Sequence, residues 1–327
     1  MKVDLEQPWV EKYRPKNFDE IVSQNVAISN LRKFVSSLDM PHMIFAGPAG
    51  TGKTSTALVI ARTLIKANAY YRNVLELNAS DTVRMAYVRK ELKDFVNQNM
   101  ILTEKTLKIV ILDEADNIPK TVQQTLRRII ESAPSNVKFI LMCNYISQII
   151  DPIISRCAVF RFVNLPKENI INRLKFITKE ENLQIPQEKA DEFFETLFFI
   201  SGGDLRKAIN TLQMAVALEL LENLNINEIL KVSGFIEEPV LQNLVDALEE
   251  KNFKRAKDIF TSIENYDSRS FIRQLLERLP DFKHIAPASL NKIRSFFGDV
   301  DFRISQGADE EIQLLALLAE IINESTI

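Results

Sequence analysis

The stretch Gly47-Pro48-Ala49-Gly50-Thr51-Gly52-Lys53-Thr54 constrains this chain more than any other. Before it lies His42-Met43-Ile44-Phe45-Ala46, short and mostly apolar, which reads as a buried strand. After it, Ser55 to Ala67 is helix-forming. Strand, glycine loop and helix is the context of a phosphate-binding loop. Glycines let backbone N–H groups turn towards an anion, and the following helix presents its positive N-terminus to the same spot. In this arrangement Lys53 reaches the β- and γ-phosphates, and the Thr54 hydroxyl holds Mg²⁺. A chance lysine after a glycine-rich turn would match neither the full spacing nor the flanking elements.

The rest of the first half alternates. Val74-Leu75-Glu76-Leu77, Leu107–Leu112, Phe139–Cys143 and Val159-Phe160-Arg161-Phe162 read as strands. Ala27–Val35, Arg84–Asn97 and Thr121–Ser132 read as helices. Such alternation implies a parallel sheet covered by helices on both faces. From Lys167 the strands stop. Helices are expected over Glu168–Glu181, Gln187–Phe199, Leu205–Glu222 and Ile226–Val232. Beyond a boundary at Ser233-Gly234 they continue over Pro239–Glu250, Phe253–Ile263, Ser270–Leu279, Pro287–Phe297 and Asp309–Asn323. The expected division is 1–164, an α/β nucleotide-binding domain, followed by two all-α domains, 165–233 and 234–327. At the start, Pro8 and Pro15 bracket Trp9 and Tyr13, which predicts a fixed, extended segment packing its rings on a flat ligand or a core.

Composition narrows the setting. The net charge of −3 requires any nucleic-acid contact to rest on a local basic patch. Two cysteines, Cys143 and Cys157, fit no disulfide framework or CxxC metal site and point to a reducing compartment. No apolar run approaches membrane-spanning length, and the charged start is not a signal peptide, so a cytoplasmic protein with no membrane partner is expected.

A second signal is Ile109-Val110-Ile111-Leu112-Asp113-Glu114-Ala115-Asp116. An apolar strand ending in adjacent carboxylates sets them at the carboxyl edge of a parallel sheet, beside the phosphate loop. Asp113 can complete a Mg²⁺ shell, and Glu114 can polarise an attacking water as general base. Asn144, after the next strand, is either an ordinary turn residue or an amide that orients that water. Arg156, in Ser155-Arg156-Cys157, is either a solvated surface group or an arginine finger for a neighbour's nucleotide. Arg206, opening a later helix, is either exposed or reaches back to the γ-phosphate.

Taken together, Pro8–Pro15, Gly47–Thr54, Leu75–Asp81, Leu112–Asp116, Ser155–Cys157 and Gly203–Ala208 resemble the boxes of the replication factor C small subunit, an AAA+ clamp-loader ATPase family. Ile304–Leu314 is similar to archaeal versions of that family's collar domain. The resemblance implies an AAA+ α/β domain, a helical lid and a collar within a five-membered ring containing a large subunit and other small subunits. It implies an adenine pocket lined by Val10, Tyr13, Arg14 and the segment to Val22, with Gly47, Pro48, Ala49, Gly50, Thr51, Gly52, Lys53 and Thr54 on the phosphates. Asn144 is then the first sensor, Arg206 the second, and Arg156 a finger acting in trans. The implied work is Mg²⁺-dependent ATP hydrolysis that opens a PCNA-type sliding clamp and loads it on primer–template DNA, in the archaeal cytoplasm or a eukaryotic nucleus.

Departures from that pattern mark a divergent small subunit, as one of two paralogues in a ring would be. After Ala79 the chain reads Ser80-Asp81-Thr82-Val83-Arg84-Met85, without the family's glycine. Arg84, Arg89, Lys90 and Lys93 still form a basic run set against one acid up to Lys93, suited to DNA phosphates, and Arg127 and Arg128 add to it. The family's Val-Gly-Gln is Val22-Ser23-Gln24, its lysine after the sensor asparagine is Gln148, and Asn97–Thr106, where a clamp would dock, is atypical. Two other readings compete. One is a nucleotide-binding scaffold with little hydrolysis, which would have no need of Glu114. The other is a different AAA+ DNA motor, which the N-terminal box and the collar-like end disfavour.

Overall fold

The computed structural model describes residues 7–37, 40–79, 85–97, 107–221, 224–282, 285 and 287–323. Five parallel strands form one sheet: β1 (His42–Ala46), β2 (Val74–Asn78), β3 (Lys108–Asp113), β4 (Val137–Cys143) and β5 (Cys157–Arg161). Their order is β2-β3-β4-β1-β5. Helices α1 (Trp9–Lys12), α2 (Asn25–Ser37), α3 (Lys53–Leu64), α4 (Tyr70–Asn73), α5 (Met85–Asn97), α6 (Lys120–Ser132) and α7 (Asp151–Ile154) alternate with them. An all-helical run follows: α8 (Lys167–Glu180), α9 (Ala190–Ser201), α10 (Leu205–Ala217), α11 (Ile226–Val232), α12 (Glu238–Glu249), α13 (Phe253–Thr261), α14 (Ser268–Arg278), α15 (Pro287–Ser305) and α16 (Glu310–Asn323). The expected fold class therefore stands: a helix-flanked parallel sheet followed by an all-α region.

Continuous apolar strands form because both sheet faces are covered. In β1, Met43, Ile44 and Phe45 are fully buried, as are Ile109 and Val110 of β3 and Phe139 and Ile140 of β4. One face packs with Leu31 of α2 and Val59 and Ile60 of α3. The other packs with Leu92 of α5 and Leu126 and Ile129 of α6. Each such side chain contributes about 1.5–3 kcal/mol.

By internal packing the chain separates into two compact units. One comprises Met1–Leu183 with Ser201–Gln213, the other Gln184–Ile200 with Met214–Ile327. The second unit has a core of its own, in which Leu244 and Leu248 of α12, Phe260 of α13, Phe271 and Leu275 of α14, and Leu317 and Leu318 of α16 meet. Leu241, Leu244, Val245 and Leu248, at helical spacing on α12, are all buried, whereas Ile312 on α16 is 63% exposed.

Three expectations need correction. The Pro8–Pro15 segment is not extended: Pro8 caps one helical turn, Trp9–Lys12. Proline's fixed φ and missing N–H suit a helix start, so the first proline nucleates the turn. The helix expected to reach Glu222 ends at Ala217, where the turn carries Glu219 at φ 57°. The helix expected to stop at Phe297 runs on to Ser305 through Gly298, whose Cβ position is open space, because Val300 beyond it is buried in the same core.

His42 opens β1 with its ring against Phe139, and its Nδ1 accepts the Phe139 N–H at 3.2 Å. Burial, with Lys138 nearby, lowers its pKa from 6.5 to about 4. Below pH 6.5 the unfolded chain therefore binds a proton that the folded chain refuses, and stability falls as pH drops from about 6.5 towards 4. Urea denaturation across that window is expected to show this loss in the wild type and less of it in His42→Asn.

Candidate nucleotide site

The phosphate loop leaves the carboxyl end of β1, between β4 and β5. Gly47 donates its N–H to the Cys143 carbonyl at 3.1 Å, which anchors the loop to β4. Gly50 and Gly52 adopt φ 67° and 97°, the left-handed region open to glycine without steric cost. Gly52 is the N-cap of α3, so Lys53 and Thr54 are the first two residues of that helix. Sequence spacing and strand order together aim the N-terminus of α3 at the sheet's carboxyl edge.

Lys53 is 8% exposed. Its Nζ donates to the Gly47 carbonyl at 2.6 Å, the Pro48 carbonyl at 2.8 Å and Asn144 Oδ1 at 3.1 Å. Burial holds the ammonium below the usual lysine range, opposed by Asp113 and Asp116, which favour its charge. The Thr54 hydroxyl donates to Asp113 Oδ2 at 2.8 Å. A hydroxyl beside a carboxylate is a hard oxygen pair suited to Mg²⁺, an ion that keeps several waters and substrate oxygens.

Glu114 follows in a left-handed conformation, φ 54° and ψ 39°. For a non-glycine residue this costs on the order of 1–3 kcal/mol and recurs where surroundings over-determine a functional geometry. Asn117 Nδ2 donates to its Oε2 at 3.0 Å. Glu114, Asp113, Lys53, Thr54 and Asn144 all line one cleft.

The cleft's other walls come from further along the chain. Val10, Tyr13, Arg14 and Val22 line it, along with Ala49, Gly50, Thr51 and Gly52. Gly47 and Pro48 stand behind, their carbonyls turned to Lys53. Tyr13 is held by its hydroxyl, which donates to Glu181 Oε1 at 2.6 Å; burial and this bond raise its pKa. Arg14 pairs with Glu11 and holds that carboxyl below its ordinary range. Trp9 takes no part in the cleft and is fully buried, so of the two ring placements the core one holds for it. Its backbone N–H donates to Gln213 Oε1 at 2.9 Å, tying α1 to α10.

Arg206 lines the cleft from the first turn of α10. Asp204 caps that helix, accepting the N–H groups of Arg206 and Lys207 at 2.8 and 3.1 Å. Ile21, within the expected segment, also lines the cleft, whereas Leu165, Leu205, Ile209 and Arg173 were not singled out by the sequence reading. Arg173 donates to the Tyr13 carbonyl at 2.7 Å and stacks on Phe176 at 4.9 Å; burial lowers its pKa. No motif marks it, since α8 is amphipathic and only packing decides which of its basic residues turns inward. Gln24 was also passed over. Its side-chain amide is buried, donating to the Val163 carbonyl at 2.7 Å and the Thr51 carbonyl at 3.4 Å.

Arg156 does not line the cleft of its own chain. It pairs with Glu131 at 2.5 Å and donates to the Pro152 carbonyl at 2.7 Å, a half-exposed position past α7. Of the basic run, Arg84 lies outside the described residues, as does the 98–106 stretch. Arg89, Lys90 and Lys93 belong to α5, where Lys90 and Lys93 are exposed. Among the described residues no helix is long and apolar enough to cross a membrane.

Comparison with known proteins adds a family context. Residues 43–165 match the family described as ATPase family associated with various cellular activities (AAA), and residues 236–320 match the Replication factor C C-terminal domain. The chain is 41% identical over 319 residues to Replication factor C small subunit 1 of Pyrobaculum islandicum, covering 96% of this chain and 93% of that one. It is 39% identical over 317 residues to the Replication factor C small subunit of Saccharolobus solfataricus, with the same coverages. Among solved structures it is similar to the Thermotoga maritima RuvB Holliday junction branch migration motor, at TM-score 0.53 and 17% identity over 73% of this chain and 80% of that one. At that identity the likeness speaks for the fold alone.

A Cβ on Gly50 would stand 1.8 Å from Asp204 Oδ1, at a φ of 67°. Gly50→Ala is therefore expected to cost about 2–3 kcal/mol through backbone strain and a displaced helix cap. Urea denaturation should show that cost largely shared with Asp204→Ala, so that the double variant is less destabilised than the sum.

Proposed function

The chain belongs to the replication factor C small-subunit family, and from that membership we propose that it is a clamp-loader subunit that hydrolyses ATP to load a ring-shaped sliding clamp onto primer–template DNA. What carries the reading is the meeting of Lys53, Thr54, Asp113, Glu114 and Asn144 in one cleft of such a chain. In this reading residues 1–164 bind nucleotide, 165–233 act as a lid carrying Arg206, and 234–327 hold the subunit in a five-membered ring with a large subunit and other small subunits. The setting is the cytoplasm of an archaeal-type cell.

ATP enters with its adenine against Val10, Tyr13, Arg14 and Val22 and its phosphates on the loop. Lys53 exchanges its loop carbonyls for the β- and γ-phosphate oxygens. Thr54 and Asp113 would hold Mg²⁺, which when bound neutralises phosphate charge. Glu114 accepts the proton of the attacking water while Asn144 orients that water. Arg206 senses the γ-phosphate from α10, so hydrolysis alters what the lid touches. Arg156, outside its own cleft, supplies positive charge to a neighbour's γ-phosphate. Lys90 and Lys93, with Arg84 and Arg89, meet DNA phosphates without reading sequence.

In assembled rings, Glu114→Gln is expected to retain ATP binding and lower turnover at its own site by ~10²-fold or more. Lys53→Ala should lose both. Arg156→Ala should leave its own subunit's ATP affinity unchanged and slow hydrolysis at the adjacent site by ~10³-fold. If Arg156→Ala instead weakened only binding to its own subunit, the trans assignment would fail. Turnover should stop with EDTA and return with Mg²⁺.

A further inference from the structure

Asp116 has no part in the roles assigned so far, yet it joins two of the site's segments. It stands two residues beyond Glu114, in the short turn Ala115–Asn117 that leaves β3. Its Oδ2 accepts the backbone N–H of Asn144 at 2.9 Å and of Tyr145 at 3.1 Å. Both donors lie just past β4, the strand between β3 and β1. Its Oδ1 is buried without a protein partner. A carboxylate taking two backbone N–H groups on one oxygen makes charge-assisted bonds, stronger than neutral ones and directional.

We propose that Asp116 is a positioning residue for ATP hydrolysis, holding the Asn144 backbone so that the Asn144 amide faces Lys53 and the γ-phosphate. The proposal rests on the hydrolytic role given above to Asn144. Three links make the chain of contacts. Asp116 grips the Asn144 N–H; Asn144 Oδ1 accepts from Lys53 Nζ at 3.1 Å; Asn117, in the same turn as Asp116, donates to Glu114 Oε2 at 3.0 Å. One rigid turn thus sets both the base and the amide that would hold the water it activates. Without Asp116, Asn144 is an exposed residue at a strand end with no other contact fixing its main chain among those the structure shows. The expected defect lies in geometry during turnover, since Asp116 itself does not line the cleft.

The test is single-turnover ATP hydrolysis by the full chain in its assembled complex, with ATP affinity read from a fluorescent ATP analogue and thermal melting measured in parallel. Asp116→Ala is expected to slow the chemical step ~10-fold or more while analogue affinity stays within ~2-fold. Asp116→Asn keeps a carbonyl acceptor for the two N–H groups and is expected to restore most of the rate. In an Asn144→Ala background, adding Asp116→Ala should change the rate less than ~2-fold, because the residue acts through Asn144. A fully additive loss in that background would overturn the proposal and leave the role of Asn144 intact. So would a melting drop with unchanged chemistry, or an Asp116→Asn variant as slow as Asp116→Ala. An Asn144→Ala variant with wild-type turnover would overturn the reading of Asn144, and the proposal with it.

Discussion

The Lys53 ammonium is the interaction on which the nucleotide site depends. A lysine 8% exposed must have its charge met, and here it is met by two loop carbonyls and the Asn144 amide. Those partners exist only because the loop curls back over the head of α3, which needs left-handed backbone at Gly50 and Gly52. The same amine bridges β1 to β4, because Gly47 follows one strand and Asn144 the other. Burying a cation thus ties loop, helix and sheet edge together in one step. It also leaves a group whose present partners are weak neutral acceptors, which phosphate oxygens would displace readily.

Around that centre the first unit is closed by contacts of high sequence separation. Trp9 reaches Gln213, Tyr13 reaches Glu181 and Arg173, and Gln24 spans Thr51 and Val163. Asp204 fits under Gly50 so closely that no side chain could replace the glycine's hydrogen. The phosphate loop and the N-cap of α10 are therefore one packing problem. The loop thus lies directly against the cap of the helix that carries Arg206.

Much of this was legible in the chain itself. The central strands β1, β3 and β4 could be found because parallel strands buried on both faces are continuous apolar runs, whereas the edge strands β2 and β5 are only partly buried and give a weaker, interrupted signal. Lys53, Thr54, Asp113 and Glu114 could be named because phosphate chemistry demands those groups at fixed spacing from strand ends. The second half was less legible at its helix ends. A glycine inside α15 reads as a stop, and burial of Val300 beyond it overrides that weak local preference. Arg173 carries no spacing signal, since an arginine on an amphipathic helix is ordinary; Asp116 falls within a motif, yet its contact with the backbone after β4 depends on packing. Ser23 and Gln24 are a further case. Both are non-glycine residues in left-handed backbone, at φ 62° and 63°, and Gln24's buried side-chain amide exchanges hydrogen bonds with the Val163 main chain.

What the sequence by itself determined is the chemistry available: a phosphate loop on a strand–helix junction, paired carboxylates at a second strand end, and helices after the last strand. These follow from local rules, because backbone freedom, apolar runs and motif spacing act over a few residues. Strand order was decided only by the tertiary structure. It sets β4 between β1 and β3 and so sets Asn144 between the lysine and the carboxylates. Tertiary packing alone also turned Trp9 into the core and Arg173 into the cleft, and left Arg156 outside it. Those outcomes depend on which surfaces of distant segments fit and satisfy one another's hydrogen bonds, and such fitting is not written in any one stretch of the chain.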